Sequence, residues 1–199
     1  MFPHSSCSRS GCGRGALTGS DTCFEHHPAQ DEYLEWLANE VSRRDVIYNL
    51  FAPGLPFTEL RISGKVFITC NFSGARIDSC WIRHSSFELC LIEQAEIGDI
   101  HLHGVELRSC VLAESRLSSG VFHYCDLLQS NFNGSLCRDV TFQHTDLLHS
   151  RFVGAGLQEI AFQDCNLKEV VFYESIRAGL YFSGSNEDES RFLKESRST

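Results

Sequence analysis

The chain has 199 residues and a formal charge of -9 at pH 7, from 17 basic and 26 acidic side chains. That balance disfavours nonspecific attachment to DNA or to anionic membranes, and no basic tract offsets it. The length predicts one domain with at most a small appendage, able to bury a core without disulfide staples.

The opening run, MFPHSSCSRSGCGRG, has no continuous apolar stretch of the kind a secretory signal needs. No apolar run approaches the ~20 residues that cross a bilayer. A soluble, cytoplasmic protein is expected. Its 10 cysteines are then read as reduced thiols, some ligating metal and the rest filling small buried spaces.

Residues 1–29 are rich in Gly, Ser, Cys and His. The spacing Cys7-x4-Cys12-x10-Cys23-x2-His26, with His27 as a substitute for His26, brings two close pairs together across a Gly-bearing loop. Thiolate and imidazole suit zinc, and four protein ligands make a closed, structural site. The segment is similar to small zinc knuckles. It is too short to fold on a core of its own, so zinc is the expected cofactor. The competing reading is a flexible tail with free thiols.

Residues 30–58 are expected to link and cap. Asp31 and Glu32 suit a helix start and Pro53-Gly54 a stop. Leu34, Leu37, Val41 and Tyr48 lie at helical spacing, which predicts one or two helices over 30–51. Trp36 and Leu37 would cover the first turn of whatever follows; docking of a partner is the other use for such a helix.

From Ile62 to Phe172 every fifth residue is large and apolar, with Cys137 as the exception. Neither a helix, with period 3.6, nor a strand, with period 2, repeats in this way. Two residues before each large one sits a small one, such as Cys70, Ala75, Cys80 or Ser130. Val105, Val140, Val170, Ile100 and Ile160 are bulkier. The other three positions are mostly polar.

The segments CNFSG, CDLLQ, SNFNG, TDLLH and CNLKE, starting at 70, 125, 130, 145 and 165, resemble the consensus of the pentapeptide-repeat family. The resemblance implies a mainly β fold, a right-handed quadrilateral β-helix over residues 59–176. With four units per coil, the repeat makes about six coils. Each large residue would then point to the axis and stack on the residue twenty positions away. Phenylalanine ladders are expected on two opposite sides, and Cys70, Cys90 and Cys110 share a column as core filler. A filled interior leaves no pocket for a small molecule. Residues 177–199 are read as a cap, through Ile176, Leu180 and Phe182, followed by a disordered tail beyond Ser183.

On that fold one outer side collects Trp81, Arg83, His84, His101, His103, His123, Tyr124 and His144. Aromatic, imidazole and guanidinium groups favour interface hot spots, so this side is the candidate partner-binding face; ordinary surface composition is the alternative. No nucleophile elbow, phosphate loop or H-E-x-x-H motif is present, and an enzyme is not expected. Two functions remain. One is a non-enzymatic scaffold for a protein partner, without direct nucleic-acid or membrane binding. The other follows from the resemblance: some members mimic DNA, bind DNA gyrase and protect it from quinolones. Residues 60–175 carry 14 acidic and 9 basic side chains, and Arg61, Arg76, Arg83, Arg108, Arg116 and Arg151 interrupt the negative field that mimicry requires.

Overall fold

From Asn49 to Gly184 a residue with φ between 45° and 71° recurs at every fifth described position. These left-handed residues are the corners of a square coil. They cost a non-glycine residue about 1–2 kcal/mol each, and persist because the hydrogen-bond ladders on both sides hold them. The computed structural model describes residues 4–173 and 175–192.

All the ladders between coils are parallel and join residues twenty apart. One side stacks Val46–Tyr48, Val66–Ile68, Ser86–Glu88 and Glu106–Arg108. The next carries single bridges at Phe51, Asn71, Leu91, Val111, Asn131, Arg151, Val171 and Arg191. The remaining two start as Pro56–Thr58 and Arg61–Ser63. They merge into eight-residue strands at Arg116–His123, Leu136–Gln143, Gly156–Gln163 and Ile176–Ser183. The result is about seven coils, a rod of roughly 34 Å at ~4.8 Å per coil.

Side-chain chemistry explains the pentad. The large residue enters the axis, and the rings of Phe122, Phe142, Phe162 and Phe182 stack at 4.8, 5.2 and 5.4 Å. On the opposite side Phe132, Phe152, Phe172 and Phe192 stack at 4.7, 5.2 and 4.9 Å. The small residue is often Cys, Ser or Thr because it donates a hydrogen bond to the carbonyl of a large residue one coil earlier. Cys110 reaches Phe87 at 3.3 Å, Ser115 reaches Ile92 at 2.9 Å and Ser150 reaches Leu127 at 2.7 Å. Asn or Asp precedes the large residue where its side chain accepts from the amide two residues on, as Asp126 does from Leu128 at 3.0 Å. Removing one such donor, in Ser150→Ala, is expected to cost about 0.5–1.5 kcal/mol in urea unfolding, because the Leu127 carbonyl keeps its bond from the Ser130 amide at 3.0 Å.

Helix α1, Gln30–Arg43, starts with Asp31 and Glu32 and buries Tyr33 and Leu37. It ends sooner than the sequence suggests. The stretch expected to be helical up to residue 51 contains the strand Val46–Tyr48, and Tyr48 is 62% exposed. The coil therefore begins three pentads earlier, with Ile47, Ala52 and Phe57 at the interior positions. Pro53-Gly54 is one of its corners, where Gly54 has φ 71°, and not a helix stop. Trp36 does not cover the coil: it is 40% exposed, and its ring lies against Gly19.

The far end also differs. Arg177 replaces a large residue but keeps its backbone pairing to Leu157, and its guanidinium sits 4.9 Å from the Phe192 ring. Ile176 is 79% exposed and caps nothing. Residues 184–192, expected as tail, include a 3-10 turn at Glu187–Glu189 and the bridge from Val171 to Arg191. The rest of that expected tail, 193–199, lies outside the described residues.

The interior is not filled throughout, contrary to expectation. From Phe122 to Phe172 the stacked rings are 0–2% exposed, but an apolar cavity of about 680 Å3 occupies the axis of the earlier coils.

Candidate functional site

Two constellations stand out. The first is in the N-terminal segment. A short hairpin, bridged between Ser6 and Gly15 and tightened by the Cys12 amide on the Arg9 carbonyl, presents Cys7 and Cys12. The chain then returns so that the Ser8 amide donates to the Asp21 carbonyl at 2.8 Å. One turn of 3-10 helix, Phe24–His26, places His26 beside Cys23. The four ligand atoms of Cys7, Cys12, Cys23 and His26 all lie within 4.8 Å of one another.

The edges are informative. Cys12 Sγ to Cys23 Sγ is 3.8 Å, Cys7 Sγ to His26 Nδ1 is 3.6 Å and Cys23 Sγ to His26 Nδ1 is 3.4 Å. A tetrahedron around a metal with ~2.3 Å bonds to sulfur and ~2.0 Å to nitrogen has edges of roughly 3.5–3.8 Å. The group therefore fits a metal ion. His27 is turned away: its Nδ1 accepts from the Ala29 amide at 3.2 Å, and its ring meets Tyr33. The electrostatics point the same way. The backbone amide of Cys23 helps pull the Cys7 thiol down to about 6. The Arg14 amide draws Cys12 down, but desolvation and the neighbouring sulfurs of Cys23 and Cys7 push it up overall. A second thiolate is thus opposed by the first, an opposition that a dication removes.

The segment is seated on the coil. The Phe51 amide donates to Thr18 Oγ1 at 2.8 Å, the Thr18 amide to the Phe51 carbonyl at 2.9 Å, and Tyr33 Oη to the Thr18 carbonyl at 2.9 Å. His4 stacks on Phe51 at 4.0 Å. Gly15 is required here, since a Cβ would lie 2.6 Å from the Phe51 ring.

The other seven cysteines are interior, and all are free thiols. Burial pushes Cys125 and Cys137 up to about 11. Cys90 is raised to about 12, first by Cys110. Six of the seven hydrogen-bond to carbonyls and Cys137 meets Ser135 Oγ at 3.5 Å, so they are buried fillers, unlike Cys7.

The second constellation is the aromatic side, where the coil aligns the eight expected residues on neighbouring rungs. Trp81 stacks on His101 at 4.2 Å, with Arg83 at 5.8 Å from the indole. His84 meets His103 edge-on at 5.4 Å. The Nδ1 atoms of His103 and His123 are 3.2 Å apart, and Tyr124 stacks on His144 at 4.8 Å. Asp99 lies 3.5 Å from His101 and Asp164 lies 3.8 Å from His144. Burial, then His103 and His144, holds His123 below the usual imidazole range. A cleft of about 360 Å3 runs between Trp81 and His123. Gly104 was not singled out from sequence, yet it makes this packing possible, since a Cβ there would be 2.9 Å from His84 Nδ1.

With this geometry in place, comparison with known proteins is informative. The family described as a pentapeptide repeat region matches residues 115–192. This is a pentapeptide-repeat β-helix. The pentapeptide register continues upstream of the matched part without a break to Ile47. Among solved structures it is similar to QnrB1 (trypsin-treated), a plasmid-mediated fluoroquinolone resistance protein. The two share 19% identity with a TM-score of 0.54, over 73% of this chain and 79% of that one. It is also similar to HetL, a pentapeptide-repeat protein involved in heterocyst differentiation regulation from the cyanobacterium Nostoc sp. strain PCC 7120. That match has 11% identity and a TM-score of 0.41, over 79% of this chain and 93% of that one. No curated protein matches by sequence. Among the described residues no helix is long and apolar enough to cross a membrane.

Proposed function

We propose that this pentapeptide-repeat protein is a non-enzymatic scaffold that presents its Trp81 to His144 side to a protein partner, with a structural zinc ion holding its N-terminal module. The observation that carries the reading is the ring stacking along that side. Trp81 and Tyr124 are 41% and 56% exposed, yet each is held in a stack by a ring on the adjacent coil. Pre-ordered aromatic groups lose little entropy on binding, which is what a hot spot requires. Zinc fits the three thiolates and one imidazole, with every tetrahedral position taken by protein. Ten free thiols suit a reducing compartment, so the cytoplasm is the assigned location.

The test is capture of the partner by the tagged chain. Trp81→Ala and Tyr124→Ala together are expected to weaken binding at least 30-fold, about 2 kcal/mol or more, with the melting temperature unchanged. Capture that survives both substitutions argues for ordinary surface composition.

The likeness to a fluoroquinolone resistance protein favours one second reading, a DNA mimic acting on gyrase. Its weakness is local charge. Arg108 pairs with Asp126 at 2.7 Å and Arg76 lies 3.4 Å from Glu96, so part of the acidic surface is already neutralised. A gyrase supercoiling assay separates the two readings: a mimic inhibits or protects at stoichiometric levels, and a scaffold for another partner leaves gyrase unchanged.

A further inference from the structure

We infer that the axis of the N-terminal coils is a binding channel for one long-chain fatty acid, the acyl tail inside and the carboxylate at Arg61. The cavity of about 680 Å3 is within the range of ligand pockets and is lined almost wholly by aliphatic and phenyl groups. Its origin is in the sequence. Phe122, Phe142, Phe162 and Phe182 fill one side of the later coils, whereas the same column below Phe122 holds Leu102, Ile82 and Ile62. The column below Phe132 holds Leu112 and Ile92, and the fourth side holds Ile97 and Ile77 next to Phe57. Phe57, Phe67, Phe72 and Phe87 also line the cavity, but from Ile82 to Leu112 the two columns that later carry phenyl rings hold shorter side chains, and the axis stays open.

Burial records the same difference independently. Phe72, Ile82 and Phe87 are 8%, 9% and 7% exposed although they point inward, while Phe132 and Phe162 are 0% exposed. Within the coil the channel runs from Ile62 to the closing ring of Phe122, three coil spacings or roughly 14 Å, and it continues past Ile62 along Leu34, Leu37 and Val41 of helix α1. That is a long, narrow shape that suits an unbranched chain. Apolar cavities of this kind stay dry and take apolar ligands.

The entrance lies between helix α1 and the first complete coil, and is bordered by Val41, Arg61 and Lys65. Lys65 is already engaged, its ammonium donating to the Ser42 and Arg44 carbonyls at 2.9 and 2.7 Å. Arg61 is exposed and has no ion-pair partner among the described residues. A carboxylate at the entrance supplies one in bidentate geometry.

The chain should be titrated with cis-parinaric acid, followed by displacement with decanoate, palmitate and hexadecanol. Saturable binding at one equivalent is expected, with affinity rising roughly fourfold per added methylene until the channel is full. Ile82→Phe with Leu102→Phe extends the Phe122 ladder down the axis. It should weaken parinarate binding at least tenfold while the melting temperature holds or rises. Arg61→Gln should weaken palmitate and leave hexadecanol unchanged. Methyl NMR of the unsubstituted chain gives a readout that needs no variant: palmitate should shift Ile77 and Ile97 and leave Ile160 in place. Absence of saturable binding, undiminished binding by the folded filled variant, or methyl shifts confined to surface residues would overturn the channel. Equal losses of acid and alcohol in Arg61→Gln would overturn the carboxylate assignment.

Discussion

Phe132→Ala is expected to lower the stability of the coil by about 3–5 kcal/mol. Phe132 is fully buried, and its ring stacks on Phe152 at 4.7 Å in the tightly filled half of the axis. The backbone around it is bonded to the coils before and after: the Phe132 amide donates to the Arg151 carbonyl, and the Asn131 amide donates to Cys110. The walls therefore cannot move in to close the space, which puts the cost at the upper end for a large truncation. Urea unfolding followed by circular dichroism measures it as a drop in midpoint. A change near zero would mean that position 132 does not point to the axis.

Cys12→Ser is expected to reduce bound zinc from about one equivalent to near zero, as read by elemental analysis of the purified chain. The serine hydroxyl is a far poorer zinc ligand than a thiolate, and the remaining three donors leave the tetrahedron open. Treating the unsubstituted chain with a strong chelator should reproduce the effect. In both cases trypsin should cut at Arg9 and Arg14, which the folded hairpin otherwise protects. His26→Ala should behave like Cys12→Ser. His27→Ala should keep its metal, because the His27 ring nitrogen is bonded to the Ala29 amide outside the group. A folded chain that holds no metal as purified would contradict the site.

The repeat was legible because an interior column accepts only apolar groups, and twenty-three consecutive pentads repeat that requirement from Ile62 to Phe172. Its ends were not. Ala52 sits where a large residue belongs, and Tyr48 falls by chance at helical spacing from Val41, so the first coil was hidden behind an apparent helix. Arg177 breaks the side-chain pattern, but backbone pairing does not read side chains, and the coil continues to Phe192. The corners left little trace because Leu89, His84 and Ser79 take the left-handed conformation as well as glycines. The cavity was written in the sequence at Ile82, Leu102, Ile92 and Leu112, which stand in the two columns that carry Phe from Phe122 and Phe132 onward, a difference of ring against branch that hydrophobicity alone ignores.

At the N-terminal group the spacing of Cys7, Cys12, Cys23 and His26 pointed to the four side chains that the fold brings within 4.8 Å of one another. The choice between His26 and His27 was not legible, since it depends on the direction of one 3-10 turn. The aromatic side was legible because residues twenty apart share a column. Its stacking was not, because it depends on Gly104 leaving room for the His84 ring.

The most direct test of the scaffold reading is cross-linking of the tagged chain in its native cell, with the contact sites mapped by mass spectrometry. The account predicts one protein at near-equal stoichiometry, cross-linked around Trp81, His103 and Tyr124, and lost when Trp81 and Tyr124 are both alanine. A partner mapped to another side of the coil, or capture of gyrase with inhibition of supercoiling, would contradict it.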